Sequence, residues 1–248
     1  MKKYAIILAA GKGTRMKTDL PKCAYPLLKK PMIAYIVEHL YKSTMFDELI
    51  TVVGHKKEVI QEILNSTVKY AIQKEQLGTG HAVLAAEKYI KDEEGYTIIL
   101  PGDMPLIDDL VIKAAINEHL EFRHDLTVVS TIVDDPFGYG RIIRDEAGYL
   151  NAIIEEDDAT KPVKAIKEIN TGIYVITNKY LVPSLKKITN NNSKKEYYLT
   201  DIVKIMKDEK YLVGTFLLDK SSKAMGVNDL YTLSEAETIL RGNINKEL

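Results

Sequence analysis

The residues best placed to do chemistry sit in a few short strings. The first is Leu8-Ala9-Ala10-Gly11-Lys12-Gly13-Thr14-Arg15-Met16, directly after a buried apolar run from Tyr4 to Leu8. Small residues after a strand let the backbone approach a ligand closely, and successive backbone N–H groups can cradle phosphate oxygens. Arg15 offers a rigid fork of donors and Lys22 a compact point charge, a pair able to neutralise a pyrophosphate. A Walker A loop needs four residues between its first glycine and Gly-Lys-Ser/Thr, and this string lacks them. The dinucleotide pattern fails too, because Met16 stands where its third glycine belongs. Both failures point away from a P-loop ATPase and from an NAD-dependent oxidoreductase. Read alone, the loop is equally a surface turn with solvated cations.

The second string is Gln73-Lys74-Glu75-Gln76-Leu77-Gly78-Thr79-Gly80-His81-Ala82. The amides of Gln73 and Gln76 can donate and accept together, which suits the edge of a pyrimidine base. Gly78 and Gly80 permit close backbone approach, and Thr79 is placed to cap a helix starting near His81. By composition alone the same stretch is a solvated polar segment, and His81 a locally packed helix-start residue. Third, Pro101-Gly102-Asp103 stops an apolar strand. A carboxylate at the carboxyl end of a strand in an open α/β sheet lies where ligands bind, and Asp is a hard oxygen donor suited to Mg²⁺. An ordinary turn or cap Asp is the plainer reading. Glu155-Glu156-Asp157-Asp158 reads as a solvated acidic face, and Tyr197-Tyr198 as packing.

The elements that must position these residues alternate along the first half. Strands are expected at Tyr4–Leu8, Leu49–Val53, Val68–Ile72, Tyr96–Leu100 and Leu126–Val133. Helices are expected around Ile33–Leu40, Lys57–Leu64, His81–Ile90 and Leu106–His124. That alternation predicts an α/β fold, a Rossmann-like open, mostly parallel twisted sheet with helices on both faces. Beyond Pro136 the pattern becomes a smaller mixed α+β elaboration: a hairpin across Asp145-Glu146-Ala147-Gly148, strands at Ile166–Thr177 and Tyr211–Leu218, and a helix at Asp201–Lys207. A final amphipathic helix is expected over Leu230–Ile244.

The chain has 248 residues, 46% of them hydrophobic and 28% charged, with 34 basic residues against 35 acidic for a net charge of -1. This composition excludes a disordered chain, and the charge gives no global pull toward nucleic acid or an anionic membrane. A single cysteine, Cys23, excludes a disulfide framework and a Cys-rich zinc site, and reads as a small apolar residue. No apolar stretch approaches the ~20 residues of a membrane span. The expectation is a cytoplasmic protein.

Taken together, Ala9-Ala10-Gly11-Lys12-Gly13-Thr14-Arg15-Met16 followed by Pro21-Lys22 resembles the signature of sugar-nucleotide pyrophosphorylases, which join a sugar phosphate to a nucleoside triphosphate. The string from Gln73 to Ala82 resembles the branch that transfers uridylyl groups to N-acetylglucosamine 1-phosphate. The resemblance spans essentially the whole chain. It implies UTP and N-acetylglucosamine 1-phosphate as substrates, with Arg15 and Lys22 catalytic. Leu8, Ala10, Gly11, Gly13, Thr14, Gln73, Gln76, Gly78 and Thr79 would bind the nucleotide. Tyr139-Gly140-Arg141, Ile154-Glu155-Glu156 and Glu168-Ile169-Asn170-Thr171-Gly172 are also similar to family strings, implying Gly140, Glu155 and Asn170 on the sugar side. Asp103 and Asn228, the latter in Gly226-Val227-Asn228-Asp229, would hold Mg²⁺. Pro101, Cys23 and Ala24 depart from residues common among relatives. A different sugar phosphate, or a binding module that has lost catalysis, remains an open alternative.

The resemblance also implies a domain division, 1–226 for nucleotidyl transfer and 227–248 as a helical tail. Relatives often continue into hexapeptide repeats that carry acetyl transfer and build a trimer. No such repeat occurs in these residues. The expectation is uridylyl transfer without acetyl transfer, and a monomer or dimer rather than a trimer.

Overall fold

Nine strands share one sheet among the described residues, which are 1–11, 13, 16, 19–91 and 94–247 of the computed structural model. The first half runs β1 (Lys2–Ala9), a short hairpin of β2 (Pro26–Leu27) and β3 (Lys30–Pro31), α1 (Met32–Ser43), β4 (Glu48–Val53), α2 (Lys57–Leu64) and β5 (Lys69–Ile72). It continues with α3 (Thr79–Leu84), β6 (Gly95–Pro101), α4 (Asp109–Glu121) and β7 (Leu126–Ile132). The second half comprises β8 (Arg141–Arg144), β9 (Leu150–Ile154), α5 (Lys161–Lys164), β10 (Glu168–Thr177), α6 (Asn178–Leu185), α7 (Asp201–Asp208), β11 (Val213–Leu218) and α8 (Leu230–Glu247).

The strand order is β11-β7-β10-β6-β1-β4-β5, with the β8–β9 hairpin attached to the start of β10. Along this path β10 alone runs antiparallel to its neighbours, β6 and β7, and the other pairs are parallel. The sheet is therefore mostly parallel, as the alternation predicts. Successive side chains on β1 point to opposite faces. Ala5, Ile7 and Ala9 pack with Ile36 of α1, Ile60 of α2 and Ile112 of α4. Tyr4 and Ile6 belong to the opposite layer with Val83 of α3, Leu181 of α6 and Met206 of α7. Burial on both faces explains why β1 reads as a continuous apolar run. In α8, Leu233 and Ala236 are buried with Met16, Leu27, Met32 and Leu106.

Four helices differ from the sequence expectation, one of them the single turn α5, which has no counterpart in it. The helix expected over 106–124 spans Asp109–Glu121, because the Asp108 carboxylate accepts the Val111 N–H (3.0 Å) and fixes the start. The expected 81–90 helix is split into α3 and a separate 3₁₀ turn, Glu87–Tyr89. At the break, the Ala85 N–H donates to both His81 O and Ala82 O (3.2 Å each), which tightens the last turn. The helix α6 has no counterpart in the expectation; it starts as soon as β10 ends and carries Pro183.

Candidate active site

The chain leaves β1, visits β4 and β5 on one side, then returns to β6 on the other side of β1. The carboxyl ends of β1 and β6 thus form a topological switch point, where ligands of open α/β sheets bind. A cleft of about 450 Å³ lies there, a size suited to a small-molecule ligand. The Gly102 N–H donates to Leu8 O (2.8 Å), which locks the two strand ends together. Leu8, Ala10, Gly11, Lys22, Gln73, Gln76, Gly78, Thr79, Asp103, Glu155 and Asn170 all line the cleft. Gly13, Gly140 and Asn228 adjoin lining residues of the cleft, namely Lys22, Glu155 and Lys22 respectively. Thr14 and Arg15 lie outside the described residues.

One end of the cleft is charged. Lys22 opens the 3₁₀ turn Lys22–Ala24, and its ammonium donates to Asn228 Oδ1 (2.8 Å) while pairing with Asp103 Oδ2. The Val227 N–H donates to Asp103 O (2.9 Å), so backbone pairing brings Asn228 to Asp103 from far along the chain. A Cβ on Gly13 would stand 2.5 Å from Lys22 Cβ, at a left-handed φ of +63°, so only glycine lets this turn press on the lysine. Asp229 caps α8, accepting the Thr232 N–H at 2.8 Å. Asp103 and Asn228 are hard oxygen donors already arranged about a positive charge, so their chemistry fits Mg²⁺. Among the described residues no cluster of three or more His, Cys, Asp or Glu side chains could hold a metal. A cation on this pair therefore needs further oxygens from substrate and water. Nearby Cys23 lines the wall as an inert thiol, with burial pushing its pKa up to about 12.

The other end presents mainly neutral polar groups, with the Glu196 side chain beside Gly78. Gln73 is buried, and its Nε2 donates to Gly78 O (3.1 Å) and lies 3.1 Å from His81 Nδ1. Gly78 has φ +114°, and a Cβ there would stand 2.6 Å from Tyr197 O. Thr79 does not cap α3: it is the first helical residue, and Gly78 holds the cap position. The Thr79 hydroxyl instead accepts the Leu199 N–H (3.0 Å). The segment is anchored further by Gly80 N–H to Tyr197 O and Tyr197 N–H to Leu77 O, each 2.8 Å.

The third wall comes from the hairpin and β10. Register pairs Arg141 with Ile154, which sets Gly140 beside Glu155, and the Asn170 N–H donates to Gly140 O (2.8 Å). β10 is irregular between Asn170 and Tyr174. There Asn170 Oδ1 accepts the Gly172 N–H (3.0 Å) and its Nδ2 donates to Tyr174 OH (2.8 Å). Contrary to the solvated reading, Glu155 faces the cleft. Burial pushes its carboxyl above the usual range, against a donated Thr200 hydroxyl (3.0 Å) that pulls it down. Its neighbour Glu156 pairs with the buried Arg141 (2.6 Å) and Lys164 (3.0 Å), which hold its carboxyl down at about 2. The segment 197–201 thus contributes Leu199 and Thr200 to the cleft wall, although Tyr197-Tyr198 reads from sequence as packing. Its signal lies in backbone groups and one hydroxyl, which residue types do not advertise.

Comparison with known proteins adds the following. Residues 4–231 match the family described as nucleotidyl transferase. The chain is 49% identical over 247 residues to Bifunctional protein GlmU of Acholeplasma laidlawii, covering 100% of this chain and 53% of that protein. It is 44% identical over 249 residues to the Streptococcus uberis protein of the same name, covering 99% and 54%. With that of Bacillus cereus (strain G9842) the figures are 42% over 245 residues, 99% and 53%. The chain spans about half the length of these curated relatives.

Proposed function

The chain belongs to the nucleotidyl transferase family, and from that premise we propose that it transfers a uridylyl group from UTP to N-acetylglucosamine 1-phosphate. The products are UDP-N-acetylglucosamine and pyrophosphate. The observation that carries this reading is the cleft at the β1/β6 switch point, with a charged end, a neutral polar end and a polar third wall. These three parts suit a triphosphate, a base and a sugar, in that order.

A phosphate oxygen of the sugar phosphate attacks the α-phosphorus in line, and pyrophosphate leaves. A phosphate monoester has its second pKa near ~6, so the nucleophile is ionised at neutrality and needs no general base. Positioning and charge stabilisation then supply the rate. Lys22 and Arg15 stabilise the departing pyrophosphate. Ala10, Gly11, Gly13 and Thr14 lie along the triphosphate, and Leu8, Gln73, Gln76, Gly78 and Thr79 surround the nucleoside. Glu155, Asn170 and Gly140 meet the sugar hydroxyls and acetamido group. Asp103 and Asn228 hold Mg²⁺, which when bound supplies neutralisation of phosphate charge. In this reading residues 1–226 form the transferase body, and 227–248 form the helical tail that contributes Asn228.

The test is pyrophosphate release with UTP, CTP and dTTP against a panel of sugar phosphates, with and without Mg²⁺. Metal-dependent release with UTP plus N-acetylglucosamine 1-phosphate is expected. No release from that pair rejects the assignment.

A further inference from the structure

We infer that His81 is a positioning residue for base selection: its Nδ1 lone pair pins the Gln73 amide so that Oε1, and not the NH₂ group, faces the cleft. The inference rests on the proposed placing of the base at Gln73 and Gly78. Gly78 O can only accept, so the Gln73 atom 3.1 Å from it must be the NH₂ nitrogen. That nitrogen has one further hydrogen, and His81 Nδ1 lies 3.1 Å away. For both contacts to be bonds, Nδ1 must accept, which places the imidazole proton on Nε2.

Both hydrogens of the amide are then consumed inside the wall, and Gln73 presents only an acceptor to the cleft it lines. Among the described residues no donor reaches Oε1. Close by, the Gly78 N–H has no partner among the described residues, while Gly78 O accepts the Ala82 N–H at 3.1 Å. The wall thus offers an acceptor beside a donor. Uracil and thymine present the complement, an N3–H beside a carbonyl. Cytosine presents the reverse, a bare N3 beside an amino group, and meets repulsion at both atoms.

A flipped amide would read cytosine. With His81 held as the Nε2–H tautomer, the flip sets Oε1 against the Gly78 carbonyl and against the Nδ1 lone pair together, and only a proton shift to Nδ1 relieves the second repulsion. Without the imidazole only the first repulsion remains, and Gly78 O keeps its Ala82 donor. His81 therefore supplies the second half of the lock. It acts through Gln73 and touches no substrate.

The experiment is kcat/KM for pyrophosphate release with UTP, CTP and dTTP, using N-acetylglucosamine 1-phosphate and Mg²⁺, in wild type, His81→Phe, His81→Asn and Gln73→Leu. Ratios within one variant cancel any loss of active protein. His81→Phe is expected to lower the UTP:CTP ratio about tenfold, mainly through KM for UTP, since an unmatched polar group in a recognition site costs that scale. Its UTP:dTTP ratio should stay as in wild type, because the two bases share the edge being read. His81→Asn introduces a carboxamide oxygen that can replace the Nδ1 acceptor, so that variant should recover most of the lost ratio. A wild-type UTP:CTP ratio in His81→Phe, alongside a lowered ratio in Gln73→Leu, overturns the role of His81 alone. A wild-type ratio in Gln73→Leu removes the base-site reading and this inference with it. Should His81→Phe not fold, the wild-type protein decides: its histidine ¹⁵N spectrum, with His81 assigned by its loss in His81→Asn, should show the Nε2–H tautomer. The Nδ1–H tautomer overturns the proposal.

Discussion

The two ends of the cleft are satisfied in opposite ways. At the neutral end, Gln73, Gly78, Thr79 and Tyr197 are tied by hydrogen bonds that leave the ligand-facing groups exposed to the cleft. This end is organised before any ligand arrives, and a ligand gains from order already in place. At the charged end, Lys22, Asp103 and Asn228 satisfy one another. In the proposed reading, a ligand and a cation exchange those contacts for new ones. If the proposed function holds, the neutral end selects and the charged end rearranges, so selectivity and turnover should respond to different substitutions.

The largest expected effect is at the charged end. Asp103→Ala should cut turnover by about 10²–10³ at saturating UTP with melting unchanged, on the scale of losing one preorganised electrostatic group. Steady-state pyrophosphate release and a thermal melt check it; wild-type turnover with Mg²⁺ would remove Asp103 from the metal site. Lys22→Met should lower turnover by about 10², yet tighten nucleotide-free Mn²⁺ binding by about tenfold, because the ammonium no longer competes for Asp103 and Asn228. Titration calorimetry reads the second effect. Unchanged Mn²⁺ affinity would show that the ammonium does not hold the cation position.

At the neutral end, Gly78→Ala should raise KM for UTP by several-fold and leave kcat within about twofold, the pattern of lost uniform binding. It should also lower the melting temperature by roughly 2–12 °C or more, because this glycine-only backbone conformation costs another residue ~1–3 kcal/mol and the added Cβ would meet Tyr197 O at 2.6 Å and Tyr197 N at 2.7 Å. A fall in kcat as large as that of Asp103→Ala would erase the distinction between the ends. The smallest effect lies outside the cleft. His119 is buried between Thr127 Oγ1 (3.1 Å) and Thr177 Oγ1 (3.3 Å), and burial, with His124 nearby, lowers its pKa from 6.5 to about 4. Between those values the unfolded chain binds the extra proton, so stability falls as pH drops from about 6.5 toward 4. His119→Gln should flatten that part of a stability–pH curve and leave the UTP:CTP ratio untouched.

What the sequence made legible was what residue type and period encode. Lys57–Leu64 matches its helix at both ends, since Ile60 and Leu64 mark one buried face. Ala10, Gly11 and Asp103 line the cleft, as a glycine-rich turn after a strand and a carboxylate at a strand end suggest. Pro183 and the missing break after Thr177 concealed α6. Glu155 looked solvated because its burial depends on Gly140 and Thr200, which are distant in sequence. Thr79 looked like a cap because its partner, the Leu199 N–H, is 120 residues away.

The antiparallel strand β10 has a consequence for biosynthesis. It is made after β6 and β7 yet lies between them, so it joins β5-β4-β1-β6 to β7-β11. Until residues 168–177 leave the ribosome, β6 keeps an unpaired edge of Thr97, Ile98 and Ile99, all of which are fully buried once folding is complete. Such an edge invites pairing with other chains. A nascent chain stalled before β10 therefore presents an open sheet edge, and the cleft becomes complete only after the last third of the chain has begun to emerge.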